Sequence, residues 1–348
     1  MQQYGVLVAD DSSFMRRCIS LIVERDPRFF IIGIARNGQD ALEKVQRLKP
    51  DIVTLDVEMP EMDGIEALNE IMKVCPVPVV MLSNYTEEGA KTTIKALELG
   101  AVDFFLKSTL VGDDADPEAI NAFLYCLNTI VKGVKIPLHE EIQVVTPEAL
   151  PNVHSKEQRA DLLVIGCSTG GPSALQSLLP RFAKDINIPI IVIQHMPPGF
   201  TGPLAERFDT ICSLHVKEAQ DGDILSAGTI YIAPAGYQTF LKRKAEGTVI
   251  LQIEDYSPIE TLYKPSVNVT LLSAAQVYKN RLLALIMTGM GNDGLVGCEE
   301  VKKQKGKVIV EAEESCIVYG MPKVVYEAGF ADVQVPLHQI YQQVMQNM

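Results

Sequence analysis

The chain predicts an α/β protein of two doubly wound parallel-sheet domains, an N-terminal (βα)5 unit and a C-terminal unit with an added β-hairpin. Three observations lead there. At 348 residues the chain exceeds what one hydrophobic core usually serves. With 47% hydrophobic residues it has apolar material for more than one core. Short apolar bursts alternate with helix-length amphipathic segments, and that rhythm lapses only once, at about residues 133–159.

The first unit takes residues 1–125. Its apolar bursts, Gly5–Ala9, Phe29–Ala35, Asp51–Asp56, Pro78–Ser83 and Asp103–Lys107, have the length of strands. Helical patterns lie between and after them, at about Ser13–Glu24, Gly38–Leu48, Gly64–Val74, Thr86–Leu99 and Pro117–Lys132. Strands separated by helices need crossover connections, so the sheet is parallel and covered on both faces. Residues 126–159 hold the end of the last helix and an interdomain linker, where Pro137, Pro147 and Pro151 interrupt a polar stretch without periodicity. His139 and His154 within it read as exposed residues without a task.

The second unit spans residues 160–348. Asp161 to Cys167 is a buried run that breaks at Gly166, and Ser168 stands among glycines before an amphipathic segment opening at Ser173: strand, sharp turn, helix. Ile188–Gln194, Gly228–Ala233, Leu282–Met287 and Val308–Glu311 are further strands. Phe240 onward and Thr248–Ile253 form a hairpin across Ala245-Glu246-Gly247. Ser266–Lys279 is a helix, and another opens near His338.

Composition narrows the function. The 31 basic against 44 acidic side chains give a formal charge of -13, which opposes attraction to nucleic acid or an anionic membrane. Seven cysteines without a C-x-x-C pair indicate neither a disulfide framework nor a zinc ribbon and suit a reducing cytoplasm. No basic leader with a long apolar run opens the sequence and no membrane-length apolar span occurs in it, so a soluble, cytoplasmic protein without membrane insertion is expected.

In an open parallel sheet, functional groups gather at the carboxyl ends of strands. In the first unit those ends carry Asp10 and Asp11, Asp56, Ser83 and Lys107. Converging carboxylates repel unless a hard cation such as Mg2+ sits among them, and with a hydroxyl and a lysine they can receive a phosphoryl group on Asp56. A single strand-end aspartate more often caps a helix, and Asp11 or Ser12 could cap the first one; the joint pattern exceeds capping. In the second unit the strand ends carry Ser168, His195 and Asp293, a nucleophile, a base and an orienting acid. Each alone has a duller reading: an anion-binding turn serine, a core histidine, and an aspartate beside Gly294 that caps the next helix.

Two resemblances follow from these residues. Asp10-Asp11, the run from Asp56 through Glu58 to Asp63-Gly64, Ser83 and Lys107 resemble the response-regulator receiver domain over residues 1 to about 125. That resemblance implies Asp56 as phosphoacceptor, Mg2+ held by Asp10, Asp11, Asp56 and the Glu58 carbonyl, and Ser83 and Lys107 contacting the phosphoryl group. It also places Phe104 at the family's switching aromatic position, where a plain core residue is the other reading. The family usually follows the lysine with proline, and here Ser108 does so. Gly166 to Pro172, Gln194-His195-Met196-Pro197 and Met287 to Gly294 are similar to the catalytic domain of CheB-type chemotaxis methylesterases over residues of about 160–345. There the resemblance implies Ser168 as nucleophile, His195 as base, Asp293 as its acid and the Met290 amide as an oxyanion-hole donor, with no cofactor for the esterase step. Gly166 to Gly170 also fits the G-x-S-x-G of α/β-hydrolases, but in that family the acid precedes the histidine. Cys167 stands where the methylesterases more often have alanine.

The combined resemblance implies a phosphorylation-regulated serine hydrolase that demethylates glutamate γ-methyl esters on methyl-accepting chemoreceptors, with possible deamidation of receptor glutamines. Its phosphodonor would be a chemotaxis histidine kinase, and the unphosphorylated receiver would pack over the Ser168 face. Two rivals stand beside it. A DNA-binding response regulator would need a basic effector module. A response regulator with a noncatalytic nucleotide- or phosphate-binding output domain would use the glycines around Ser168 as an anion cradle.

Overall fold

The computed structural model describes residues 3–84, 86–112, 115–133 and 159–348. The first sheet consists of β1 (Tyr4–Ala9), β2 (Phe29–Ala35), β3 (Ile52–Asp56), β4 (Val79–Ser83) and β5 (Asp103–Leu106), in the order β2-β1-β3-β4-β5 and wholly parallel. The second comprises β6 (Leu162–Cys167), β7 (Ile190–Gln194), β8 (His215–Glu218), β9 (Thr229–Ile232), β12 (Leu282–Ile286), β13 (Lys307–Glu311) and β14 (Val333–Val335). It is also parallel throughout, in the order β14-β13-β12-β6-β7-β9-β8. Strands β10 (Gln238–Arg243) and β11 (Val249–Glu254) pair antiparallel as a separate hairpin. The chain therefore has the two parallel α/β sheets and the hairpin that its sequence predicts.

The central strands read as continuous apolar runs because helices cover both of their faces; every residue of β3, β4, β6, β7 and β12 is buried. Helix starts follow the capping residues. Ser12, Asn37, Asp63 and Thr86 each accept the amide of the third helical residue, so Ser12 rather than Asp11 caps the first helix. The last helix of the first unit runs Pro117–Gly133, and the expected linker beyond it lies outside the described residues up to 159.

Several elements differ from expectation. Lys107 does not end β5 but opens one helical turn, Lys107–Leu110, closed by the Thr109 hydroxyl on the Leu106 carbonyl at 2.9 Å. Strands β8 and β14 and the helices Thr201–Ile211 and Met321–Glu327 have no counterpart among the predicted elements. Among the described residues no helix is long and apolar enough to cross a membrane.

The two units touch. One apolar cluster runs from Leu55, Ile94 and Leu97 through Phe104 to Phe200, Leu204 and Phe208. The Phe104 and Phe200 rings stack at 4.8 Å with 18° between planes, and Glu98 pairs with Arg207 across the contact. Phe104 is thus buried, as the core reading has it, and also stacks across the contact between the units.

Candidate functional site

Strand β6 lies between β12 and β7, and the chain leaves it toward β7 but returns on the other side at β12. Such a reversal opens a crevice at the carboxyl ends of the strands, where Ser168 and His195 directly follow β6 and β7 and Asp293 lies in the loop after β12. Ser168 directly follows β6. Its amide donates to the Thr288 carbonyl at 3.0 Å, and its carbonyl accepts from the Gly171 amide at 2.8 Å and the Gln194 side-chain amide at 3.0 Å. The turn is compact by necessity. Gly170 takes φ +75°, and a Cβ on Gly171 would stand 2.0 Å from Gln194 Oε1.

His195 directly follows β7. Its Nε2 lies 2.9 Å from Asp293 Oδ2, and its ring stacks on Tyr263 at 4.1 Å with 5° between planes. With Nε2 on the carboxylate, Nδ1 is the remaining lone pair; it is buried without a hydrogen-bond partner. Among the described residues no hydrogen bond joins the Ser168 hydroxyl to the ring, although Ser168, His195 and Met290 line one cavity.

Asp293 is almost completely buried, and it is not the cap of the helix that follows it, whose N-cap is Gly294 with no side-chain bond. It does cap a helix, but one that begins 26 residues earlier in the chain. Oδ2 accepts the Val267 amide at 2.7 Å, and Oδ1 accepts the Asn268 amide and the Ser266 hydroxyl, both at 2.9 Å. Those amides open the helix Val267–Tyr278, so its dipole favours the negative charge. Burial works against ionisation, yet the bond to His195 and these amides outweigh it and hold the carboxyl below the usual carboxylate range. Asn268 returns the favour, accepting the Gly294 and Gly297 amides at the start of Leu295–Lys303. Ser266 and Tyr263 were not singled out in the sequence. A helix N-cap was legible at Ser266; nothing marked Tyr263.

Cys167 is fully buried, its thiol directed at Gln194 Oε1 at 3.1 Å. Burial pushes its pKa far above the ordinary thiol value, so it offers no thiolate.

At the first sheet, Asp10, Asp11 and Asp56 each present a carboxylate oxygen within 4.8 Å of the others. Lys107 Nζ bridges Asp10 at 2.8 Å and Asp56 at 2.6 Å, so the turn after β5 delivers its charge to the acidic pocket without the proline. Burial raises the Asp56 carboxyl to about 7 despite Lys107. Three hard oxygen donors, two of them buried and one of those held against ionisation, fit a Mg2+ ion that keeps several waters. Gly64 is required beneath them, since a Cβ there would lie 1.9 Å from the Asp56 carbonyl oxygen. The Glu58 amide donates to Asp56 Oδ1 at 3.3 Å. Ser83 ends β4 beside this pocket, donating to the Asn84 carbonyl at 3.2 Å and accepting from Thr93 Oγ1 at 2.9 Å. Thr93 belongs to Glu87–Glu98, the helix whose last residue pairs with Arg207 of the second unit.

The cavity at Ser168 measures about 340 Å³ and both units wall it: Phe104, Leu106 and Thr109 from the first face His195, Tyr263 and Met290 of the second. Asp103 borders it too; burial raises its carboxyl to about 7, with the Phe104 amide and the Thr169 hydroxyl opposing that shift.

Residues 6–113 match the family model of the response regulator receiver domain, and residues 163–344 match that of the CheB methylesterase. A protein-glutamate methylesterase/protein-glutamine glutaminase of Oceanobacillus iheyensis is 43% identical over 98% of this chain and 97% of its own. One of Geobacillus kaustophilus is 42% identical over 99% of both. The crystal structure of the Thermotoga maritima CheB methylesterase catalytic domain is 42% identical with a TM-score of 0.53, covering 55% of this chain and all of that one.

Proposed function

The chain belongs to the CheB methylesterase family, with a response-regulator receiver domain ahead of the methylesterase domain, and from that membership we propose that it hydrolyses glutamate γ-methyl esters, and glutamine side-chain amides, on chemoreceptors. It is a protein-glutamate methylesterase whose receiver regulates the hydrolase. The observation that carries the chemistry is the His195–Asp293 pair, anchored on a helix N-terminus in the same cavity as Ser168.

In the proposed reaction, Ser168 Oγ attacks the ester carbonyl while His195 Nδ1, the nitrogen not engaged by Asp293, takes its proton. The Met290 amide stabilises the resulting oxyanion. His195 then returns the proton to the leaving oxygen and methanol departs; from a glutamine, ammonia departs. Water deprotonated by the same nitrogen cleaves the acyl-serine to glutamate. Asp293, held ionised, keeps the Nε2–H tautomer and stabilises the imidazolium. The noncatalytic output-domain alternative finds no support, because the relatives matched over nearly the whole chain are named protein-glutamate methylesterase/protein-glutamine glutaminase and an anion cradle leaves the His195–Asp293 pair without a task.

In the receiver, the Asp56 carboxylate attacks the phosphorus of the histidine kinase's phosphohistidine, forming a P–O bond as the P–N bond breaks. Asp10, Asp11, Asp56 and the Glu58 carbonyl would hold Mg2+, which neutralises phosphoryl oxygens when bound; Lys107 and Ser83 contact the same oxygens. Drawing Ser83 to a phosphoryl group breaks its bond to Thr93, on the helix that also carries Glu98. That disturbs the Glu98–Arg207 and Phe104–Phe200 contacts and opens the Ser168 cavity. The receptors' cytoplasmic helices are the substrates, so the enzyme works in the cytoplasm.

The test is release of labelled methanol from methylated receptor membranes by the wild type and by Ser168→Ala. The expected result is loss of turnover in the variant; equal turnover refutes the assignment.

A further inference from the structure

Glu311, the last residue of β13, lies directly behind the nucleophile turn with no exposed surface. A buried carboxyl is costly unless its oxygens find donors. Here Oε2 accepts the Thr288 amide at 2.8 Å and Oε1 accepts the Ser315 hydroxyl at 2.9 Å. The location explains the first bond. The ladder between β12 and β13 ends at Ile286 and Val310, and past Glu311 the chain turns to β14, the Ala312 amide donating to the Val335 carbonyl. The side chain of Glu311 supplies the acceptor that the ladder no longer gives Thr288.

Thr288 passes the constraint forward. Its carbonyl accepts the Ser168 amide at 3.0 Å, and its hydroxyl donates to the Thr169 carbonyl at 2.9 Å and accepts the Val318 amide at 3.0 Å. Gly289 follows so close that a Cβ on it would lie 2.9 Å from the Ser168 Cβ, and Met290 comes next in the cavity wall. The residues on either side of the reacting carbonyl thus meet at Thr288, and Thr288 is held from behind by Glu311.

We propose that Glu311 is a positioning residue of the esterase: through Thr288 it fixes Ser168 and the Met290 amide relative to each other. This rests on the reading of Ser168 as nucleophile. A displacement of about 1 Å between reacting groups costs on the order of 10²-fold in rate, whereas ester binding along the cavity is untouched by it. The requirement is for an acceptor facing the Thr288 amide, which a glutamine still offers and an alanine does not.

The test compares full-length Glu311→Ala, Glu311→Gln, Thr288→Val and Ser168→Ala with the wild type, all treated with phosphodonor, on methylated receptor membranes. Thermal midpoints and the rate at which a fluorophosphonate labels Ser168 are recorded alongside. The expected result is a kcat about 10- to 100-fold lower for Glu311→Ala, with KM within about twofold, labelling slowed in parallel and Glu311→Gln restored to within about threefold of the wild type. Thr288→Val, which keeps the amide that Glu311 accepts but removes the hydroxyl that passes the constraint on, lowers kcat in the same sense, and if Glu311→Ala does not fold, Glu311→Met, of similar volume and without the acceptor, is read in its place. A wild-type kcat in any of these, a loss shared by KM, or a glutamine variant as impaired as the alanine overturns the proposal. Wild-type turnover by Ser168→Ala would instead overturn the reading on which it rests.

Discussion

Asp293 shows how one residue serves stability and chemistry together. It caps the helix Val267–Tyr278 through two backbone amides while orienting His195, so Asp293→Asn impairs both roles. The asparagine keeps one oxygen and presents an NH2 group to partners that are themselves donors. Esterase kcat falls by about 10² to 10⁴-fold, and stability by about 1–3 kcal/mol at neutral pH. Because the folded-state pKa of Asp293 lies below its unfolded value, its contribution is fully present above the ordinary carboxylate range near 4 and is lost as pH falls through the folded pKa. Denaturation of both proteins at pH 7 and pH 3 checks this: the difference between them shrinks in acid. At this scale the sequence was informative about residues ending apolar runs, since Ser168 and His195 directly follow β6 and β7. It was silent on Tyr263, whose stacking on His195 depends on a loop without periodicity, and on Glu311, a lone acid closing a β-branched run that no local pattern connects to Thr288.

At the scale of elements, strand order in the first sheet gathers three carboxylates into a candidate cation site. Strands β1 and β3 are neighbours, which brings Asp10 and Asp11 beside Asp56, and the turn after β5 reaches across with Lys107. Burial of Asp56 against like charge leaves its carboxyl raised to about 7, a strain that a bound divalent cation relieves. Mg2+ therefore raises the thermal midpoint of the receiver at pH 7.5. The effect weakens toward pH 5, where Asp56 is protonated, and is small in Asp56→Asn. A midpoint indifferent to Mg2+ at both pH values would count against the site. The long strands and capped helices of both sheets were legible because apolar period and capping residue agreed. Those missed are short or weakly marked: β8 buries Val216 but leaves His215 exposed, β14 has three residues, and Thr201–Ile211 starts without a side-chain cap.

At the scale of the whole molecule, the receiver is a wall of the esterase cavity. Phe104 stacks on Phe200, Glu98 pairs with Arg207, and Phe104, Leu106 and Thr109 share the cavity with Ser168, His195 and Met290. The sequence marked Phe104, the order of domains and, through the resemblance, a receiver packed over the Ser168 face; the residues that make the contact were not legible, because they depend on which helix faces of two separately folded sheets come together. The helix Glu87–Glu98 spans the route, with Thr93 against Ser83 at the phosphorylation pocket and Glu98 against Arg207. On the proposed function, access to Ser168 is set by a two-state interface that a charge on Asp56 biases. The most direct measurement is the initial rate of receptor methyl-ester hydrolysis by the full chain with and without a small phosphodonor and Mg2+, beside Asp56→Asn and a chain lacking residues 1–150. The account predicts a rise of about tenfold or more with phosphodonor in the wild type only, and a high, donor-independent rate in the truncated chain. A wild-type rate that phosphodonor leaves unchanged, or a truncated chain no faster than the unphosphorylated full chain, would contradict it.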